Sequence, residues 1–408
     1  MNLYSKRRER LGRKLASDSI TVIFSSDAEY EPGSFTINRN FYYLTGIDKE
    51  SMALVLVNNA GELNEYMFIL PYDQKMARWI GGRLLPEKVK ELSDVENIRN
   101  INELDAFVEK TIKRNRANPN YRVYLDLFNR EDEMPTRASL YAQKILSKYP
   151  NILINDVFYA LTRLRLIKDD YEITCIKQAI GITKQGVVAT MRSIQPGVNE
   201  MVMEGVFALT LNQNICNEFA FKTIAASGKR ATVLHYQDNN QLMKSGELFL
   251  QDCGACFKHY CSDITRTFPV NGKFTARQKE LYQVVLNAQK LVEENAKPGV
   301  RISDLTRLVT SYYKQELPKY GLVKPVSEYF WHEVSHHIGL DCHDADDGLG
   351  ATLEVGNVIS CEPGLYIADE GIGIRIEDDL LITSLGCQNL SKDIIKEVDD
   401  IEKLMARH

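Results

Sequence analysis

Residues 247–267 read ELFLQDCGACFKHYCSDITRT. An apolar run leads into Asp252, and eleven residues later Asp263 opens the segment Asp-Ile-Thr-Arg-Thr. Alternation at period two places Asp263, Thr265 and Thr267 on one face of a strand. Downstream, Glu362 follows the apolar run in NVISCEPGLYI, and Glu377 sits within GIGIRIEDDLLIT. His336 lies between them and the first pair, in WHEVSHHIGLDCHD. A carboxylate at or within an apolar strand is costly to bury without a partner. One such residue is commonly a capped turn or an ion pair; four call for a shared explanation.

If the four carboxylates converge, their repulsion raises their pKa values and weakens the fold. Two divalent cations would balance that charge, with the His336 imidazole completing the shell. An oxygen-rich set with one nitrogen favours manganese, cobalt, iron or zinc over copper.

Outward from this core, helical spacing runs over residues 171–192, with Ile173, Ile176, Ile180, Val187 and Met191 in phase. It stops at Gln195-Pro196-Gly197-Val198. A second helical stretch, 276–296, stops at Lys297-Pro298-Gly299-Val300. Strand signals follow each: residues 246–249 with 265–270, then 358–361 with 373–376. The repetition suggests two related halves in one α+β domain. Composition changes at residues 164–170 (LRLIKDD). Before that point, strand-like runs at 21–25, 52–57, 67–70 and 122–127 alternate with helical patches such as 140–148, predicting a smaller α/β domain. Asn58-Asn59-Ala60-Gly61 reads as a hairpin turn.

The whole chain has 408 residues, 44 % apolar and 26 % charged, with a net charge of −5. Two domains are the natural expectation at this length, and the small net charge gives no reason to expect nucleic acid or a membrane surface as partner. No run reaches about 18 apolar residues, so no transmembrane span is expected. The basic start, MNLYSKRRERLGRKL, lacks the apolar run of a secretory signal. It reads as the solvated face of a helix with Leu3, Leu11 and Leu15 inward. Eight scattered cysteines are expected as buried free thiols in a reducing, cytoplasmic compartment. Cys253 and Cys256 form a CxxC without the context of a zinc or redox motif.

The strings DCGACFKHYCSDITRT, HEVSHHIGLDCHD, SCEPGLYI and RIED, spanning Asp252 to Asp378, resemble those of the pita-bread dinuclear metallopeptidases in order and spacing. That family includes aminopeptidase P, prolidase and methionine aminopeptidase. NRNFYYLTGIDKESMALVLV and ARWIGGRLLP resemble the N-terminal domain of aminopeptidase P and prolidase, and SHHIGLDCHD is closest to aminopeptidase P. The resemblance implies an α+β pita-bread catalytic domain at 164–408, preceded by a smaller α/β creatinase-type domain at 1–163. It implies two divalent metal ions per chain, manganese first and cobalt, zinc or iron as alternatives. Asp252 would hold one metal, His336 and Glu362 the other, with Asp263 and Glu377 bridging.

By the same resemblance, hydrolysis proceeds through a metal-bridging hydroxide with Glu362 as general base. His332, His343 and His235 supply catalytic contacts, and Arg375 orients a bridging carboxylate. Phe221 and Tyr366 are the candidate apolar residues around a substrate proline. The implied substrate is a peptide with proline at the second position, cleaved as an Xaa-Pro aminopeptidase does. An Xaa-Pro dipeptidase (prolidase) is the alternative, and a non-catalytic peptide-binding protein on the same fold a third. A homodimer or homotetramer is implied. Trp79 is read as a core aromatic of the first domain, or else as a wall of an active site. Glu333 and His337 depart from the family's glycine and apolar residues. Both are expected to point to solvent, the alternative being that Glu333 tunes the enzyme toward cationic peptides.

Overall fold

The computed structural model describes residues 2–26, 36–128, 135–216, 218–346 and 352–406. The chain divides into two compact units, Met1–Arg165 and Leu166–His408.

The first unit is built on six strands in the order Asn97–Asn100, Glu62–Ile69, Ala53–Asn59, Asp18–Phe24, Arg122–Leu125, Leu153–Asp156. Ala53–Asn59 runs antiparallel to both neighbours, and the remaining pairings are parallel. The ladder continues to Asn59↔Glu62, so the predicted turn narrows to Ala60 and Gly61, at φ 52° and 88°. A two-residue hairpin of this twist requires positive φ at both positions. Val22, Val55, Val123 and Leu125 pack with Val108 and Ile112 of helix Leu104–Asn115 and with Ala142 and Ile145 of helix Arg137–Lys148. Burying a side chain such as one of these valines contributes about 1.5–3 kcal/mol.

The N-terminal helix, Leu3–Gly12, departs from the sequence expectation. Leu11 is buried, but so are Arg7 and Arg8. Arg8 donates to Leu44 O and Ser93 O at 2.8 Å each and pairs with Glu65 at 2.7 Å. Arg7 donates to Tyr43 O and lies over the Tyr43 ring. Partners 36 to 85 residues away therefore satisfy charges that composition alone assigns to solvent. Trp79, in helix Gln74–Ile80, is 79 % exposed and is not a core residue.

In the second unit the two halves share their turns as well as their helices. Helix Asp170–Ser193 begins with a capping box from Asp169 and Glu172. After it, Gly197 at φ 86° donates its N–H to Met243 O at 2.8 Å, and Met243 N–H returns to Val198 O. After helix Ala276–Asn295, Gly299 at φ 87° donates to Leu353 O at 2.8 Å, and Leu353 N–H returns to Val300 O. Helices Glu200–Gln213 and Ile302–Glu316 follow the two turns. The first half supplies the antiparallel strands Ile224–Ser227, Leu248–Cys253 and Ile264–Pro269. The second supplies Val358–Cys361, Asp378–Thr383 and Gly386–Asn389, with a separate hairpin of Gly364–Ile367 and Ile372–Arg375. Val358–Cys361 thus pairs with Asp378–Thr383, while the segment predicted at 373–376 pairs within the hairpin.

A buried ionic network joins the halves. Arg266 pairs with Asp378 at 2.6 Å, and Lys396, Gln289 and Asn389 donate to the other Asp378 oxygen. Burial alone would raise the Asp378 pKa, but Arg266, Lys396 and these hydrogen bonds hold it well below the usual carboxylate range. Among the described residues, no helix is long and apolar enough to cross a membrane.

Candidate active site

The strand ends of the second unit converge on a cavity of about 440 Å³. Asp252 lies inside Leu248–Cys253, opposite Thr265 on the next strand. Asp263 immediately precedes Ile264–Pro269, and Glu362 immediately follows Val358–Cys361. Glu377 occupies the bend between Ile372–Arg375 and Asp378–Thr383, outside the strand the sequence suggested for it. All four line the cavity, with His336, His235, His332, His343, Arg375 and Phe221.

Ligand atoms of Asp263, His336 and Glu377 all lie within 4.8 Å of one another. His336 Nε2 is 3.4 Å from Asp263 Oδ2 and 3.4 Å from Glu362 Oε1. The His336 ring stacks on His343 at 3.9 Å. Asp252 stands to one side. Its Oδ2 accepts from Arg375 at 2.6 Å, while its Oδ1 is buried with no hydrogen-bond partner. The resemblance directs Arg375 to a bridging carboxylate. Its guanidinium instead reaches Asp252, Thr265 Oγ1 and Tyr366 OH, and Thr265 donates onward to Glu377 at 2.6 Å. The reason is register: pairing of the two strands sets Thr265 beside Asp252, between Arg375 and Glu377.

Tyr366 requires a correction. It is 1 % exposed and does not line the cavity, so it is no wall for a proline ring. Its hydroxyl bonds His332 Nε2 at 2.9 Å and accepts from Arg375 at 3.0 Å. His332 Nδ1 lies 2.7 Å from Glu333 O, which only accepts, so the ring proton sits on Nδ1 and Nε2 accepts from Tyr366. Burial and the nearby Arg375 charge lower the His332 pKa to about 4, so this imidazole is neutral. His337 is 3 % exposed, so the expectation that it faces solvent fails; Glu333 is exposed as expected, at the lining of the cavity.

Two contacts were not foreseen. Cys342 donates its thiol to Asp263 Oδ2 at 2.8 Å, and Ser360 donates to Glu362 Oε1 at 3.2 Å. Strand alternation already aims Thr265 at the same face as Asp263, a usable signal. Nothing local marks Cys342 or Ser360.

The proton pattern fits a cation site. Burial pushes Asp252 up to about 6, against the pull of Arg375. Burial also pushes Glu362 up to about 7, against His336 and Arg375. Glu377 is driven well above the carboxylate range by burial and by the charges of Asp263, Glu362 and Asp252. Burial opposes the Asp263 charge too, but His336 and the Cys342 thiol hold that carboxyl below its usual value. Burial lowers His336, yet Asp263 and Glu362 outweigh it and raise the imidazole to about 9. Without metal, protons therefore sit where cations would otherwise offset the charge. The oxygen-rich donor set and the partnerless Asp252 Oδ1 fit divalent ions.

A sign follows for stability. Asp252, Glu362, Glu377 and His336 all have folded-state pKa values above their ordinary ones. Each contributes most below its unfolded value and loses that contribution as pH rises through its folded value. Chelated protein is thus expected to melt lower by about 5 °C or more at pH 8 than at pH 5. Asp263, whose value is lowered, titrates below this window. Metal-loaded protein should lack the decline. Differential scanning calorimetry checks this, and parallel pH profiles with and without chelator would count against a cation site.

The sequence profile of metallopeptidase family M24 matches residues 174–384, and that of the aminopeptidase P N-terminal domain matches 4–120. An Xaa-Pro aminopeptidase of Haemophilus influenzae is 31 % identical over 98 % of this chain and 96 % of its own. A Bacillus anthracis protein assigned as an aminopeptidase P superposes with a TM-score of 0.95 at 37 % identity, covering 99 % of this chain and 97 % of that one. Zinc-substituted aminopeptidase P from E. coli, in complex with product, gives a TM-score of 0.88 at 30 % identity over 99 % and 97 %. Five metal-type ligands on one cavity, matching profiles at both ends and likeness along nearly the whole length lead to one assignment: the chain belongs to metallopeptidase family M24, with an aminopeptidase P N-terminal domain.

Proposed function

We propose that this chain is a metal-dependent Xaa-Pro aminopeptidase, removing the first residue from peptides whose second residue is proline. The observation that carries the proposal is the convergence of Asp252, Asp263, His336, Glu362 and Glu377 on one cavity, with Asp252 Oδ1 buried and partnerless. Those five residues would hold two divalent ions, manganese in our reading. Such ions supply Lewis acidity and an acidic water near neutral pH.

This chain's own groups then do the rest. Glu362, whose carboxyl lies near neutrality before any cation is bound, takes the proton of the attacking water and passes it to the leaving imide nitrogen. A proline imide has no N–H, so recognition cannot use that donor and falls to shape. Phe221, Ile224 and Leu234 give the cavity an apolar wall suited to the ring. His235 and His343 line the same cavity as donors for the developing oxyanion. His332 commits its proton to Glu333 O, and with Tyr366 it fixes Arg375 against Asp252. We assign a homodimer or homotetramer and a cytoplasmic site of action. The second rests on the eight cysteines, none of them in a disulfide and seven of them buried.

Mass spectrometry of products from Xaa-Pro-Xaa tripeptides and Xaa-Pro dipeptides tests the activity, using manganese-loaded protein and a chelated control. Release of the first residue from tripeptides, lost on chelation, supports the proposal. Cleavage of dipeptides alone makes the chain a prolidase, and no cleavage of either overturns catalysis.

Glu333 adds a carboxylate to this wall where relatives of this sequence pattern carry glycine. Glu333→Gly is expected to lower the kcat/KM ratio of cationic to neutral first-residue substrates by about tenfold, equivalent to about 1.4 kcal/mol. An unchanged ratio would rule out a role in selectivity.

A further inference from the structure

Two of the chain's cysteines stand in register across a short hairpin. Strands Cys256–Phe257 and Tyr260–Cys261 are joined by Lys258 and His259, both at positive φ (51° and 65°). In such a two-residue hairpin the flanking pair, Phe257 and Tyr260, is the hydrogen-bonded one, and the next pair is not. The backbone agrees: Cys256 N–H points outward to Glu218 O at 2.9 Å, and Cys261 N–H to Gly339 O at 2.8 Å. Residues at a non-hydrogen-bonded position have Cα atoms about 4.5 Å apart, within the span a disulfide bridges. The two sulfurs are already 3.0 Å apart. Cys253, the other half of the CxxC, is not the partner.

We propose that Cys256 and Cys261 form a reversible disulfide when the protein meets a hydroperoxide. One thiolate attacks a peroxide oxygen, releasing an alcohol or water and leaving a sulfenic acid. The second sulfur then displaces water from that sulfenic acid, closing the S–S bond. Two thiols are oxidised by two electrons, and the peroxide is reduced by the same two. Both side chains are buried, at 4 % and 1 %, which slows the first step, but the turn residue Lys258 between them is exposed. Proximity makes the second step intramolecular, so the disulfide outcompetes further oxidation of the sulfenic acid. The bond would pin a hairpin that runs directly into Asp263 and is tied through Gly339 to the segment carrying His336 and His343.

The test treats folded, metal-loaded protein with hydrogen peroxide, quenches it, unfolds it in denaturant without reductant, blocks the remaining thiols with an alkylating agent, and reads intact mass and non-reduced peptides. The expected result is six alkylations in place of eight, a loss of two hydrogens, and a crosslink joining Cys256 to Cys261 that dithiothreitol reverses. Cys216→Ser, which removes the thiol that bonds Cys256 O, should leave the crosslink intact. Cys261→Ser should abolish it. Eight alkylations after oxidation, a crosslink between another pair, or stable added oxygens at these positions would each overturn the proposal. The wild-type peptide map decides the matter even if a variant fails to fold.

Discussion

Replacing Glu362 by glutamine is expected to lower kcat by about 10³-fold or more on Xaa-Pro-Xaa tripeptides, with the fold retained. In the proposed mechanism the carboxylate has two tasks, as a metal ligand beside His336, 3.4 Å away, and as the proton acceptor, and the amide would perform neither well. Glutamine keeps the volume and can still accept from Ser360, which now bonds Glu362 Oε1. The expected loss therefore falls on kcat, with KM changed far less, because the substitution leaves untouched Phe221, Ile224 and Leu234, the cavity lining proposed to hold the ring. Single-turnover kinetics on metal-loaded variant and wild type would check it. A variant within tenfold of wild type would remove Glu362 from the proton-transfer step.

The sequence was most legible where chemistry forced residues into unusual settings. Carboxylates beside apolar strands marked Asp252, Asp263, Glu362 and Glu377, because such positions need a partner that local structure does not provide. The paired Pro-Gly-Val turns marked the two halves, because only the positive φ at Gly197 and Gly299 lets each helix end in the same return hydrogen bond. Legibility ended where the partner lay far along the chain. Arg7 and Arg8 looked solvated because Tyr43, Ser93 and Glu65 cannot be inferred from the helix that carries them. Tyr366 looked like a pocket wall because of its position in the matched segment SCEPGLYI; its hydroxyl is claimed by His332 and Arg375, and the hairpin that sets Gly364 opposite Arg375 decides this. Cys342 gave no signal at all, since a thiol seventy-nine residues from Asp263 becomes a donor to it only once the strands close.

Glu377→Gln separates metal binding from folding, because its two effects have opposite signs. The carboxylate shares a ligand group with Asp263 and His336, and its Oε2 accepts from Thr265 at 2.6 Å. An amide keeps that hydrogen bond but loses the charge and one ligand oxygen. Metal content is expected to fall below two ions per chain and kcat by about 10³-fold or more. Without metal the comparison reverses. Burial and three neighbouring carboxylates hold the Glu377 pKa well above its ordinary value, so wild type loses stability as pH climbs toward that value. Glutamine has no proton to lose. In chelator, the variant should match wild type at pH 5, where Glu377 is protonated, and melt higher at pH 9, where ionisation of Glu377 is favoured in the unfolded wild type. With metal present, wild type should melt higher throughout. Metal analysis by mass spectrometry and calorimetry at the two pH values give both readings. If the chelated variant were less stable at pH 9 than chelated wild type, Glu377 would be a structural ion-pair residue and its place in the metal group would be lost.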